Sequence, residues 1–347
     1  MTTLQDRFTG CLLGGAVGDA LGAPVEFMSR EQILQRFGPG GIRDFAPAYG
    51  GIGRITDDTQ MTLFTAEGLL EAHAEDPTAN AAHYRRHTAE AYLRWLHTQD
   101  EAGPVDTPEG TAKAAGLWAE PALHSQRAPG NTCLSALRAT TTPGVPAVND
   151  SKGCGGVMRV APVGLFCLRI AGHDRGMDAF SLGRDLAALT HAHPTGYLTA
   201  GVLALLIQAI AGGLSLTAAL RSARSRLQRA PNHEETLQAI DHAVTLSESD
   251  LPRTQAIEEL GAGWIAEEAL AISLYCSLVA PNFEEGVILA VNHDGDSDST
   301  GAITGNLLGA GLGIKAIPPR WLHELELREV TLALALALHD LPGQATY

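Results

Sequence analysis

The stretch DRFTGCLLGGAVGDAL, residues 6–21, carries apolar side chains at helical spacing together with four glycines, Gly10, Gly14, Gly15 and Gly18. Glycine inside a helix costs about 1 kcal/mol of helix stability relative to alanine. A residue without a Cβ atom also lets a neighbouring backbone approach closely. The stretch therefore predicts a helix that packs tightly against other helices.

The rest of the chain continues this helical pattern. Aromatic residues make up only 5% of its 347 residues, while alanine and leucine are abundant, which favours packed helices over a β-sandwich. We find no repeat and no low-complexity linker, so the simplest architecture is one all-α domain over residues 1–347. Further helices are predicted over 60–74, 79–99, 131–139, 160–170, 180–190, 198–211, 217–230, 233–247, 265–279, 282–292, 300–314 and 319–339.

Charge and cysteine content restrict the partners and the compartment. The chain has 39 Asp and Glu against 24 Lys and Arg, which argues against a nucleic-acid backbone as the main partner. Its five cysteines form no CxxC pair, so we expect free thiols in a reducing cytoplasm. The apolar run 198–216 contains Gln208 and lacks flanking basic residues. It is interpreted as a core helix, and we expect neither a signal peptide nor a membrane partner.

Two acidic clusters, Thr56-Asp57-Asp58-Thr59 and 294–300 (DGDSDST), each precede an apolar helix. One such side chain per helix is explained by N-capping, but two or three carboxylates repel one another unless a cation neutralises them. Hard oxygen ligands select Mg²⁺, Mn²⁺ or Ca²⁺ over zinc. An EF-hand is disfavoured, because Ser299 and Gly305 stand where its loop requires glycine and glutamate. A divalent metal site and simple capping both remain open from spacing alone.

Three further features are candidates for chemistry. Glu26 follows the glycine-rich stretch and is either a base, a metal-facing carboxylate or a solvated helix-end residue. The glycine loop 153–156 can present backbone N–H groups to an anion, or it is a plain loop. Its Cys154 has no evident His–Asp partner that would make it a nucleophile. His191 and His193, two positions apart, do not share a helix face, so a joint zinc site is disfavoured.

Taken together and in this order, these motifs resemble the ADP-ribosylglycohydrolase family. The residues that carry the resemblance are 10–14 with 18–22 and Glu26, then 56–59, 153–162, Thr190-His191 and 295–299. The resemblance implies an all-helical fold with two Mg²⁺ or Mn²⁺ ions in a central cleft. The implied metal ligands are Thr56, Asp57, Asp58, Asp296, Asp298 and Ser299.

The resemblance also implies an activity, the hydrolysis of the C1″ bond that joins ADP-ribose to a protein side chain, with Glu26, Asp57 or Asp58 taking the proton. The alternatives are hydrolysis of a free ADP-ribose derivative and a catalytically silent ADP-ribose-binding homologue, and an ADP-ribosylated base also remains open as the acceptor. Two positions depart from the family pattern, Cys154 where many members carry Asn and Ser299 where many carry Thr. The implied substrate-binding residues are Asp19, Gly153, Cys154, Gly155, Gly156, Met158 and His191.

Overall fold

A computed structural model describes residues 2–101, 116–170 and 177–342. The described residues form sixteen α-helices and no β-strand, which confirms the all-α prediction. The helices are α1 (Leu4–Gly22), α2 (Arg30–Phe37), α3 (Asp57–Glu75), α4 (Ala81–Thr98), α5 (Asn131–Arg138), α6 (Ala161–Ile170), α7 (Ala179–Ala187), α8 (Pro194–Ala211), α9 (Leu216–Leu227), α10 (Glu234–Ser247), α11 (Arg253–Leu260), α12 (Ala266–Val279), α13 (Phe283–Val291), α14 (Ser297–Leu312), α15 (Pro319–Glu324) and α16 (Arg328–His339).

Helices α1 and α14 lie antiparallel with their backbones in direct contact. A Cβ atom built on Gly14 would stand 2.5 Å from the carbonyl oxygen of Gly305, and the reciprocal Cβ on Gly305 would strike Gly14. Contacting glycines recur every four residues along α1, and their partners recur every four residues in the opposite direction along α14. The facing pairs are Gly10 with Gly309, Gly14 with Gly305, and Gly18 with Gly301. The predicted close approach of α1 to another helix is therefore confirmed, and α14 is the helix that it meets.

The apolar helix α8 belongs to the core. It is the one described helix that is long and apolar enough to cross a membrane by length and composition, and 72% of that window is buried inside the protein. It packs against α6, α7 and α9. This burial agrees with the interpretation of the run as a core helix.

One predicted helix, 319–339, is wrong as a single element. The chain breaks between α15 and α16, where Leu327 has a left-handed φ of 52°. The break is held by tertiary contacts, since the Glu326 N–H donates to the Gly53 carbonyl at 2.9 Å. The Glu326 carboxylate also pairs with Arg127 at 3.0 Å.

Two short helices, α2 and α11, were not predicted. Ile33 is the only fully buried residue of α2, so its sequence has almost no apolar periodicity to detect. Conversely, the segment 331–338 alternates like a strand but lies inside α16. Its alanine and leucine content is the better guide.

We predict that Gly305→Ala destabilises the protein by roughly 1–3 kcal/mol or more, because its Cβ meets backbone that cannot move aside. Gly311→Ala is the matched control on the same helix. Its Cβ would meet only the end of the Ile210 side chain, at 3.3 Å. Chemical denaturation of the two variants measures the difference. Equal stability of the two would contradict tight packing of α1 on α14.

Candidate active site

The two acidic clusters meet at one cleft of about 540 Å³. Asp57 and Asp58 begin α3, and Asp298 lies in the first turn of α14. Glu26 joins them from the segment after α1. The acidic side chains that line the cleft are each at most 6% exposed, and they are Glu26, Asp57, Asp58, Asp296 and Asp298.

Asp19 connects α1 to the first cluster. Its carboxylate accepts hydrogen bonds from the Thr56 N–H at 3.0 Å and the Thr59 N–H at 3.1 Å, and the Thr59 hydroxyl also donates to it. The side chain is fully buried and is not part of the cleft lining. The expectation that Asp19 contacts substrate is therefore not met by its position. Asp19 instead orients the start of α3, because it accepts N–H groups that the helix leaves unpaired.

The second cluster is oriented by backbone contacts. The Asp296 N–H donates to the Ala262 carbonyl at 2.8 Å, and the Asp296 side chain accepts from the Ser299 N–H at 3.3 Å. Gly295 has a φ of 126° and packs against Ala262, so a side chain at position 295 would be both strained and blocked. Asp294 is exposed and accepts from the Arg30 N–H at 2.8 Å, outside the cleft. Of the three aspartates in this cluster, two therefore face the site.

The electrostatics of the cleft are those of crowded carboxyl groups. Burial, reinforced by Asp298, raises the pKa values of Asp57 and Asp58 well above their ordinary range. Burial and the same neighbour raise the pKa of Glu26 to about 11. One oxygen each of Glu26 and Asp58 is buried without a hydrogen-bond partner among the described residues. No lysine or arginine lines the described cleft.

This arrangement fits hard divalent cations. Buried carboxylates that lack a cationic partner are expensive unless they are protonated or coordinate a metal. The ligand atoms are oxygens, the type that Mg²⁺ and Mn²⁺ prefer. The side chains present therefore suit the metal ions that the family resemblance implies.

The glycine loop is shaped by His191. A Cβ on Gly155 would stand 3.0 Å from the imidazole Cε1, so the ring can lie against the loop only because the side chain is absent. His191 is held by the Thr190 hydroxyl at 2.8 Å, which in turn accepts from the buried guanidinium of Arg159 at 2.7 Å. Burial, together with Arg159, lowers the pKa of His191 to about 3. A neutral imidazole therefore lines the cleft at physiological pH.

The loop offers fewer free amides than the sequence suggested. The Cys154 N–H donates to the Trp264 carbonyl at 3.2 Å, and the Gly153 N–H donates to the Ser151 hydroxyl at 3.4 Å. These two amides are thus already engaged. Gly153, Cys154 and Gly155 line the cleft, whereas Gly156 does not.

The Cys154 thiol points at the second acidic cluster, where it donates to Asp296 Oδ2 at 2.8 Å. Burial and Asp296 raise the pKa of this thiol well above its ordinary value. A protonated thiol is a poor nucleophile. The geometry therefore disfavours a covalent role for Cys154.

The structure brings most of the predicted residues together and adds two that were missed. Ser299, Met158 and His191 line the cleft, while Thr56 caps α3 from just behind it. The missed residues are Phe27 and Trp264, which stack at 5.8 Å between ring centroids at the edge of the cleft. They are 72% and 43% exposed. The position of Phe27 directly after Glu26 was the available signal, whereas nothing in the sequence linked Trp264 to it.

The fold and site define an all-α protein with a carboxylate-lined cleft at the start of two helices. A family model described as ADP-ribosylglycohydrolase matches residues 1–346, and the chain belongs to the ADP-ribosylglycohydrolase family.

Named relatives and a solved structure agree with this family. The chain is 29% identical over 354 residues to the ADP-ribosyl-(dinitrogen reductase) glycohydrolase of Rhodospirillum rubrum, covering 96% of this chain and 98% of the relative. It is 25% identical to the ADP-ribosylhydrolase ARH3 of Bos taurus, covering 96% of this chain and 92% of the relative. A solved structure titled ADP-ribosylglycohydrolase-related protein complex is similar with a TM-score of 0.70 and 32% identity, covering 99% of this chain and 100% of that chain.

The raised carboxyl pKa values predict how stability depends on pH. A folded state that retains protons which the unfolded chain has lost becomes less stable as pH rises. Between pH 7 and 8, where His191 is already neutral, we expect the unfolding temperature of the metal-free protein to fall. Asp298→Asn should make this slope shallower, because Asp298 contributes to the raised pKa values of its neighbours. Calorimetry in EDTA measures both slopes, and identical slopes would contradict the assignment.

Proposed function

We propose that this protein hydrolyses the bond between C1″ of ADP-ribose and a protein side chain, with two Mg²⁺ or Mn²⁺ ions as cofactors. The observation that carries the proposal is the convergence of five acidic side chains from three segments on one cleft without a basic residue among its described lining. Membership of the ADP-ribosylglycohydrolase family supports the reaction type. The relatives whose names specify ADP-ribosyl hydrolysis support an ADP-ribosylated protein as the substrate.

The metal ions would be held by the oxygens of the two clusters. These residues are Thr56, Asp57, Asp58, Asp296, Asp298 and Ser299. Bound divalent cations lower the pKa of water and orient hydroxyl groups of a substrate. The unpartnered Asp58 oxygen, buried at the start of α3, is the atom of this set with most to gain from a cation.

The protein groups account for the charge and proton requirements of the reaction. Cleavage at the anomeric carbon develops oxocarbenium-like positive charge. A cleft lined by carboxyl groups, and by no described lysine or arginine, stabilises that charge. The unpartnered Oε2 of Glu26 could take up the proton of the attacking water once cations held by the neighbouring aspartates had removed the repulsion that keeps this carboxyl protonated. Asp57 and Asp58 are the alternative acceptors.

The walls of the cleft suit a nucleotide on one side and an acceptor on the other. Gly155 and the His191 ring packed against it form one wall of the cleft, which we assign to ADP-ribose. Phe27 and Trp264 offer a flat apolar surface at the edge. We assign this surface to the acceptor side chain and its flanking protein, since large exposed aromatic residues are typical of protein contacts.

We also propose a cytoplasmic location and a single domain over residues 1–347. All five cysteines are free, and four of them are buried, which suits a reducing compartment. The family match over residues 1–346 supports one domain.

Asp57→Asn and Asp298→Asn should each reduce turnover of an ADP-ribosylated protein on the order of 100-fold or more, because each removes an anionic ligand of the same site. Asp294→Asn is the matched control, since this aspartate lies in the same cluster but outside the cleft. Release of ADP-ribose from arginine-linked and serine-linked substrates, with Mg²⁺ or with EDTA, is the measurement. Full activity in EDTA would contradict the metal role. Turnover of only free ADP-ribose derivatives would favour the alternative substrate.

Cys154→Ser should keep turnover within about tenfold of wild type, because a hydroxyl can also donate to Asp296. Cys154→Asn should change the preference between arginine-linked and serine-linked substrates without changing the dependence on metal. Rates on both substrates measure this. Loss of all activity in Cys154→Ser, with an ADP-ribose adduct on the wild-type protein by mass spectrometry, would show a covalent mechanism instead.

A further inference from the structure

Three potential metal ligands converge where α3 ends and α4 begins. Glu75 is the last residue of α3, and His83 and His87 lie one turn apart on the same face of α4. One ligand atom from each residue lies within 4.8 Å of the others. The two imidazole centroids are 4.4 Å apart with the rings tilted by 59°.

The hydrogen bonds of His83 leave one nitrogen with a free electron pair. Its Nε2 lies 3.0 Å from the Ala72 carbonyl oxygen, which can only accept. His83 therefore carries its proton on Nε2, and Nδ1 has a lone pair. A carbonyl that fixes the tautomer in this way is typical of metal-binding histidines.

His87 and Glu75 lie beside the same cationic group, the guanidinium of Arg86. His87 Nε2 lies 2.7 Å from Arg86 Nη2, which can only donate, so this contact requires an unprotonated Nε2. The same atom lies 2.9 Å from a carboxylate oxygen of Glu75. Burial and Arg86 lower the pKa of His87, which agrees with a neutral ring. Glu75 and His87 thus share the guanidinium of Arg86, whose Nη2 also lies 3.5 Å from a Glu75 carboxylate oxygen. A metal ion that replaced this guanidinium could bind both side chains.

We propose that Glu75, His83 and His87 form a binding site for a divalent transition metal of the zinc class. Two imidazoles and one carboxylate, with the fourth position open to water, form a ligand set that binds zinc in preference to Mg²⁺. Glu75 stands at the carboxyl end of α3, where the helix dipole favours a cation. The ion would tie α3 to α4.

This site is separate from the cleft. Asp57 and Glu75 are the two ends of α3, so they lie about 27 Å apart at 1.5 Å per residue. The inference is therefore independent of the proposed function. Arg86, which is 42% exposed at its side chain, would swing away from His87 when the ion binds.

The test is a calorimetric titration of the full chain with Zn²⁺ in excess Mg²⁺, with visible absorption of bound Co²⁺ as the second readout. We expect one equivalent of Zn²⁺ in the wild type and in Asp298→Asn. Glu75→Gln and His83→Gln should bind at least tenfold more weakly, since each removes a ligand. Arg86→Gln should bind Zn²⁺ several-fold more tightly, because it removes the guanidinium that contacts His87 Nε2. Glu75 is exposed, so its variant folds without loss of core packing.

The control is His242→Gln. His242 lies 3.7 Å from a carboxylate oxygen of Glu259. Among the described residues, this pair is not part of a group of three metal ligands. Substitution of His242 should therefore leave Zn²⁺ binding unchanged. Wild-type affinity in both Glu75→Gln and His83→Gln would overturn the proposal. Loss of the zinc equivalent in Asp298→Asn alone would place the ion in the cleft and overturn it as well.

Discussion

The backbone contact between α1 and α14 is the constraint on which the site depends. Asp19 follows Gly18 directly on α1, and Asp298 lies less than one turn before Gly301 on α14. Gly18 and Gly301 touch. This contact brings Asp19, which holds the first acidic cluster, close to Asp298 of the second. A side chain at either glycine would separate the helices and move these groups apart. The glycines thus lower the stability of each helix but allow the close contact that positions the carboxylates.

Asp19 fixes the start of α3 relative to α1. Its carboxylate accepts the N–H groups of Thr56 and Thr59. The aspartates that follow, Asp57 and Asp58, therefore point into the cleft from a rigid helix end and not from a loop. Rigid elements hold functional groups more accurately than loops do.

The sequence was sufficient for the features that depend on local pattern. Helix α1, the two acidic clusters and the glycine loop all follow from residue type and spacing. The break at Leu327, the role of Asp19 and the pairing of Phe27 with Trp264 do not, because each depends on a partner distant in the chain. Glu326, for example, leaves the helical path to meet Gly53 and Arg127, and no window around residue 326 contains either partner.

The two ends of α3 illustrate why different sites need different ligand sets. At the amino end, the helix dipole stabilises the carboxylates of Asp57 and Asp58 and so weakens their hold on a cation. Further carboxylates, from α14 and from Glu26, offset that loss, and burial together with their crowding raises the pKa values of Glu26 and Asp58. At the carboxyl end the dipole already favours a cation, so the proposed zinc site needs only one carboxylate beside its two imidazoles. We therefore expect hard oxygen coordination at the Asp57 end of the helix, and softer coordination by His83 and His87 beside Glu75 at the other end.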